Sequence, residues 1–206
     1  VVELRGKLSR EHFTRAKPAS KRSTVPRGEK ARTFKRSDAT VNRFLAVLSH
    51  VLTVARKEWH WMSHNPMDGV SKLREGKGRV RYLTTEERAA LLAETAKDPM
   101  LHTFVVLALS TACRAGELLN LTWRDVDLKE GRLLFRQTKN DEPRVAWLHG
   151  EAARLLNEHA KVRPLDGDQL VFPGLTSRGR YEYLEPFKAA VAAAGVKNFK
   201  FHDLRH

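Results

Sequence analysis

Thr111-Ala112-Cys113-Arg114-Ala115-Gly116-Glu117-Leu118-Leu119-Asn120-Leu121 is the stretch on which the reading of this chain turns. A continuous apolar run, Phe104 to Leu109, leads into it and reads as a buried helix. Small residues interrupt that run, and Arg114 stands where a new helix would open. Glu117 follows three residues later, on the same helical face, where it can orient the guanidinium. Leu118, Leu119 and Leu121 would pin the new helix to a core. An arginine held in this way, near the unsatisfied N–H groups of a helix start, suits bidentate contact with a phosphate. A surface Arg–Glu pair on an ordinary amphipathic helix would leave the same pattern, so the stretch alone does not decide.

The C-terminal stretch weighs on that choice. Phe199-Lys200-Phe201-His202-Asp203-Leu204-Arg205-His206 places a histidine and an arginine three apart, both able to donate to phosphate oxygens. Between the two stretches, Gln137-Thr138-Lys139-Asn140-Asp141-Glu142-Pro143 is a turn with one lysine, flanked by β-like runs. Arg114 in T-A-C-R-A-G-E-L-L-N-L, Lys139 on a hairpin, and His202 and Arg205 in H-D-L-R-H, in that order, resemble the tyrosine recombinases, or phage-type integrases. The resemblance runs from about Ser37 to the last residue. Each motif is weak alone, and the three in order, within the surrounding hydrophobic pattern, are strong.

Composition agrees with a nucleic-acid partner. The 206 residues include 38 Lys and Arg against 24 Asp and Glu, a formal charge of +14. That balance favours a polyanion, nucleic acid first and an anionic membrane surface second. No apolar run is long enough to span a bilayer, and the first residues have no signal-peptide pattern. The single cysteine, Cys113, sits among small and apolar residues and reads as a buried thiol. These features describe a cytoplasmic protein, bacterial or phage-encoded and associated with the nucleoid.

The expected fold is mainly α with a small antiparallel β-sheet, an α+β arrangement. Residues 1–36 are strongly basic and rich in Ser, Thr, Pro and Gly between Pro18 and Gly28, and read as an arm or linker. Residues 37–70 begin with Ser37 as N-cap of a helix carrying Val41, Phe44, Leu45, Leu48, Val51, Leu52 and Ala55 at helical spacing. Trp59 and Trp61 extend that apolar surface and are expected in the core. The resemblance makes this region part of a helical core-binding domain. Residues 71–81 form a basic linker with two glycines, and residues 82–206 are the catalytic domain. That domain opens on a Thr84–Glu87 capping box. Its expected strands lie around Val126, at 133–137 and at 144–148, followed by helices over 151–161 and 182–194. Asp203 is expected to open a further helix. Arg36, Arg43, Arg79 and Arg81 are the candidate DNA-contacting cations.

The resemblance assigns roles. Arg114 and Arg205 would bind the scissile phosphate, where paired guanidiniums stabilise the charge that builds up on the phosphoryl oxygens. Lys139 would protonate the leaving 5′-oxygen, and His202 would hydrogen-bond the phosphate or manage a proton. The cations stand where a metal otherwise would, so neither metal nor cofactor is expected. A family tyrosine forms a 3′-phosphotyrosyl intermediate, and two exchanges within a homo-tetramer on double-stranded DNA pass through a Holliday junction.

One departure is large. The family's nucleophilic tyrosine and a further histidine or tryptophan lie well downstream of the H-x-x-R motif, and Tyr82, Tyr181 and Tyr183 all precede it. The expectation is therefore a site-specific recombinase chain truncated before its tyrosine and inactive for cleavage by itself. The alternative is a non-cutting DNA-binding protein or a regulator of full-length integrase. A general RNA- or ribosome-binding protein is a third reading, and the ordered Arg, Lys and His-x-x-Arg series argues against it.

Overall fold

The computed structural model describes residues 1–14, 33–136, 142–162, 167–174 and 179–205. They form two compact units, Val1–Gly78 and Arg79–His206.

In the first unit, α1 (Val2–Arg10) leads into an antiparallel pair, β1 (His12–Thr14) and β2 (Thr33–Lys35), with Phe13 opposite Phe34. The long helix α2 (Asp38–Lys57) follows. Ser37 caps it by accepting the Thr40 N–H at 3.3 Å, and Asp38 at its start and Arg56 and Lys57 at its end complement the helix dipole. Val41, Leu45 and Met67 form a small core, with Leu8 of α1 and Leu73 packed against it. Part of the expected N-terminal arm is therefore a docked helix. Asn42 is buried and exchanges hydrogen bonds with the Leu73 backbone at 2.8 and 2.9 Å, and also donates to Glu75 at 2.8 Å. This tie fastens the start of the expected linker to α2.

The tryptophans correct the sequence reading. Trp59 and Trp61 are 49% and 74% exposed and touch each other at 4.6 Å between centroids. Helix α2 ends at Lys57, and His60 takes a left-handed φ of 53°. The helical spacing that would place both rings on the apolar face stops before it reaches them. Phe44 and Val51 are exposed as well, so α2 is apolar over more surface than its small core covers.

The second unit is built around α4 (Pro99–Thr111), preceded by α3 (Thr85–Thr95). The Thr84–Glu87 capping box closes in both directions, at 3.2 and 3.1 Å. Asp98 caps α4, with Pro99 in its first turn. Because α4 is apolar all round, it is buried all round: Leu101, Phe104, Val105, Val106, Leu107 and Ala108 all lie in the core. It packs against α3, against α6 (Gly150–Lys161), against the short helix α5 (Ala115–Leu119), and against a 3-10 helix at Phe201–Arg205. Helix α7 (Leu184–Ala193) packs on α3.

Three short strands form one antiparallel sheet in the order β3 (Val126–Asp127), β4 (Arg132–Phe135), β5 (Arg144–Trp147). Asp127 accepts the Glu130 N–H at 2.9 Å, and Gly131, at a φ of 65°, completes the β3–β4 turn. Leu133 and Phe135 alternate inward along β4. The architecture is mainly helical with a small antiparallel sheet. Among the described residues no helix is long and apolar enough to cross a membrane.

Candidate active site and nucleic-acid contacts

Helix α4 ends in a left-handed C-cap at Ala112, with a φ of 50°. This conformation ends the helix, and two residues later Arg114 is the N-cap of α5. Glu117 then does two things at once. Its Oε2 accepts the Arg114 backbone N–H at 2.9 Å, and its Oε1 accepts the Arg114 guanidinium at 2.8 Å. The Glu117 side chain is only 4% exposed, whereas that of Arg114 is 36% exposed. A buried carboxylate thus fixes a partly exposed arginine.

A second arginine, not singled out in the sequence, completes the group. Arg144 of β5 donates to Glu117 Oε2 at 2.7 Å, and its guanidinium lies 4.8 Å from the Phe135 ring centroid. Two guanidiniums share one carboxylate, which leaves net positive charge. The signal for Arg144 was present in the strand period: it falls on the same face as buried Ala146, while Val145 and Trp147 point outward. A cation on the inward face of a strand needs a partner. Arg144 opens β5, so that strand is tied to the carboxylate that supports Arg114.

Burial alone would disfavour the Glu117 carboxylate, but hydrogen bonds from Arg144 and from the Arg114 backbone and side chain outweigh it and hold the group below its usual 4.5. A carboxyl whose pKa is lowered on folding stabilises the fold above its unfolded pKa, and that stability is lost as pH falls through the folded value. Thermal unfolding from about pH 7 to pH 3 should therefore show a falling midpoint in the acid range. Glu117→Gln should start lower and fall less. Parallel curves for the two proteins would remove Glu117 from the acid dependence.

Cys113, between the cap and Arg114, is buried, and burial pushes its thiol up to about 11. It is a packing residue rather than a nucleophile.

His202 and Arg205 lie on the 3-10 helix Phe201–Arg205, where residues three apart eclipse one another. Phe201 and Leu204 are buried anchors, His202 is exposed and Arg205 is partly exposed. Asp203 does not open a new helix as expected. It lies within this one, and its carboxylate accepts the Lys200 N–H at 2.8 Å. The ring of Phe201 lies 5.2 Å from that of Phe104. One helix, α4, thus supports both the α5 turn that carries Arg114 and the 3-10 helix that carries His202 and Arg205. Lys139 falls within residues 137–141, outside the described residues, on the connection between β4 and β5.

Tyr82 is exposed, whereas Tyr181 and Tyr183 are packing groups. Tyr181 and Tyr183 lie 5.6 and 5.0 Å from the Phe104 ring, and Tyr183 lies 4.6 Å from Phe201. Burial raises both phenols above their usual range, and the Asp98 carboxylate raises Tyr181 further. Neither is poised as a nucleophile.

Of the four cations read as DNA contacts, Arg43 is exposed on α2 and Arg36 is partly exposed before it. Arg79 and Arg81 are engaged inside the second unit. Arg79 pairs with Asp203 and donates to the Asn198 carbonyl. Arg81 pairs with Glu87 at 2.5 Å and lies 5.8 Å from the Phe199 ring.

Residues 81–206 match the profile of the phage integrase family. The chain is 34% identical over 168 residues to the shufflon-specific DNA recombinase of Escherichia coli, covering 81% of this chain and 42% of that protein. It is 29% identical over 179 residues to the integrase of Salmonella phage P22, covering 82% and 45%. It thus spans less than half the length of either relative. A lambda integrase tetramer bound to a Holliday junction superposes with a TM-score of 0.63 at 22% identity, over 82% of this chain and 52% of that one. At that identity the likeness is one of fold.

Proposed function

The chain belongs to the phage integrase family, whose members are tyrosine recombinases, and we propose that it forms the DNA-binding and phosphate-activating part of a site-specific recombinase. The observation that carries this reading is the support of Arg114: a buried carboxylate shared with Arg144, on a turn held by the same helix that holds His202 and Arg205. Arg114 and Arg205 bind the non-bridging oxygens of one phosphodiester and stabilise charge there as the bond to the nucleophile forms. His202 hydrogen-bonds the same phosphate, and Lys139 protonates the leaving 5′-oxygen. A tyrosine from the family's downstream segment attacks phosphorus and forms a 3′-phosphotyrosyl link. The 5′-hydroxyl of a partner strand reverses that step, so bond energy is conserved. Four copies on paired duplexes in the bacterial cytoplasm carry out the exchange, as the tetrameric lambda integrase complex suggests by analogy.

A second reading applies to these 206 residues as a separate polypeptide. Tyr181 and Tyr183 pack against Phe104, which favours a protein that binds DNA without cutting it. One experiment addresses both. The chain is incubated with duplex DNA, with an RNA competitor, and with a nicked duplex that traps phosphotyrosine. We expect salt-dependent duplex binding, resistance to RNA competition and no covalent adduct. Arg43→Ala should reduce the slope of log affinity against log salt by about 0.9, as one phosphate contact is lost. Preferential RNA binding would overturn the recombinase reading. An adduct on this chain alone would overturn the non-cutting one and return a nucleophilic role to Tyr181 or Tyr183.

A further inference from the structure

Arg79 stands in a basic stretch that reads, from sequence, as lying along a DNA backbone. The fold gives it two internal acceptors. One guanidinium nitrogen donates to the carbonyl of Asn198 and the other to the carboxylate of Asp203. Asn198 has a left-handed φ of 53° and marks the turn by which the chain, having left α7, enters the 3-10 helix. Asp203 sits inside that helix, next to His202 and two residues before Arg205. Its side chain is 10% exposed and also accepts the Lys200 N–H at 2.8 Å. A single planar fork therefore spans the segment that delivers His202 and Arg205.

The neighbouring contacts extend the same seam. Arg81 reaches the Lys197 carbonyl at 3.4 Å and pairs with Glu87 at the cap of α3. On its inner face the 3-10 helix is anchored by Phe201 and Leu204. A five-residue 3-10 helix has few internal hydrogen bonds and weak geometry, so its orientation depends on such tethers.

We infer that Arg79 is a positioning residue for the phosphate pocket, acting through Asp203 on the 3-10 helix that presents His202 and Arg205. The inference rests on the reading of those two residues as phosphate ligands. The pair joins a 39% exposed Arg79 to a 10% exposed Asp203, so losing one partner costs stability as well as alignment, and thermal unfolding separates the two effects. A shift of about 1 Å in a ligand group is enough to change function by orders of magnitude. Lysine cannot replace Arg79 fully, because an ammonium lacks the fork that reaches two acceptors in one plane.

The test uses inorganic phosphate as the probe, titrated into the 206-residue chain and followed by calorimetry at low salt, with thermal unfolding as a check on the fold. Arg79→Ala removes a positive charge, and Asp203→Asn removes a negative one while keeping an oxygen for the Lys200 N–H. An effect of charge alone would weaken phosphate binding in the first and tighten it in the second. Positioning weakens both, by about tenfold, with the double variant no worse than the weaker single one and Arg79→Lys in between. Arg205→Ala should abolish binding, and Arg154→Ala, which loses a cation on α6, should leave it unchanged. If Arg205→Ala has no effect, or the unaltered chain binds no phosphate, the pocket reading fails and this inference fails with it. If Arg205→Ala abolishes binding while Asp203→Asn tightens it, the pocket stands and the positioning role of Arg79 is overturned. Asp203→Asn gives that answer even if Arg79→Ala fails to fold.

Discussion

Arg114→Lys is expected to reduce strand cleavage by about 10²-fold or more while leaving the salt dependence of duplex binding unchanged. The measurement is made in a chimera that joins residues 1–206 to the tyrosine-bearing segment of a relative, so that a family tyrosine is present in the assay. Lysine keeps the positive charge, and the number of neutralised phosphates stays the same. It loses the planar donor pair aimed at two oxygens of one phosphate. It also loses the Nη1 contact that Glu117 holds at 2.8 Å, so a flexible ammonium replaces a fixed fork. Binding is spread over many cations, among the 38 Lys and Arg of the chain, whereas the transition state depends on a few. Cleavage at the unaltered rate would take Arg114 out of the active site.

Phe104→Ala is expected to cost about 3–5 kcal/mol of stability. The ring is fully buried and touches Phe172, Tyr181, Tyr183 and Phe201 at centroid distances between 5.0 and 5.6 Å. Truncation removes the hub of that cluster and opens a cavity that α4, central to the unit, cannot easily close. A loss of this size should lower the thermal midpoint by roughly 10 °C or more. Because Phe201 anchors the helix of His202 and Arg205, phosphate binding should weaken even well below the new midpoint. A change of under about 1 kcal/mol would mean that the cluster repacks around the gap and that the 3-10 helix does not depend on it.

Local spacing made part of this molecule legible. Arg114 and Glu117 lie three apart, Thr84 and Glu87 likewise, and the β3–β4 turn at Gly131 has its own residue chemistry; each needs only neighbours in sequence. The apolar run of α4 announced a buried helix because an amphipathic one would have carried polar residues on one face. What was not legible needed long-range partners. Asp203 meets Arg79 across 124 positions, and sequence does not say whether a cation in a basic stretch meets a phosphate or a distant carboxylate. Arg144 joins Glu117 across 27 positions, visible only as a charge on the inward side of a strand. Trp59 and Trp61 failed for a different reason: helical periodicity was carried past Lys57, where the helix ends.

In the proposed function Arg114, His202 and Arg205 serve one phosphate. The most direct test is a crystal structure of the chain on a short duplex. The expected result is one phosphodiester whose non-bridging oxygens accept hydrogen bonds from both guanidiniums at about 2.7–3.1 Å, with His202 on the same group. Guanidiniums resting on different phosphates, or a duplex bound on a face that leaves these side chains in solvent, would contradict it.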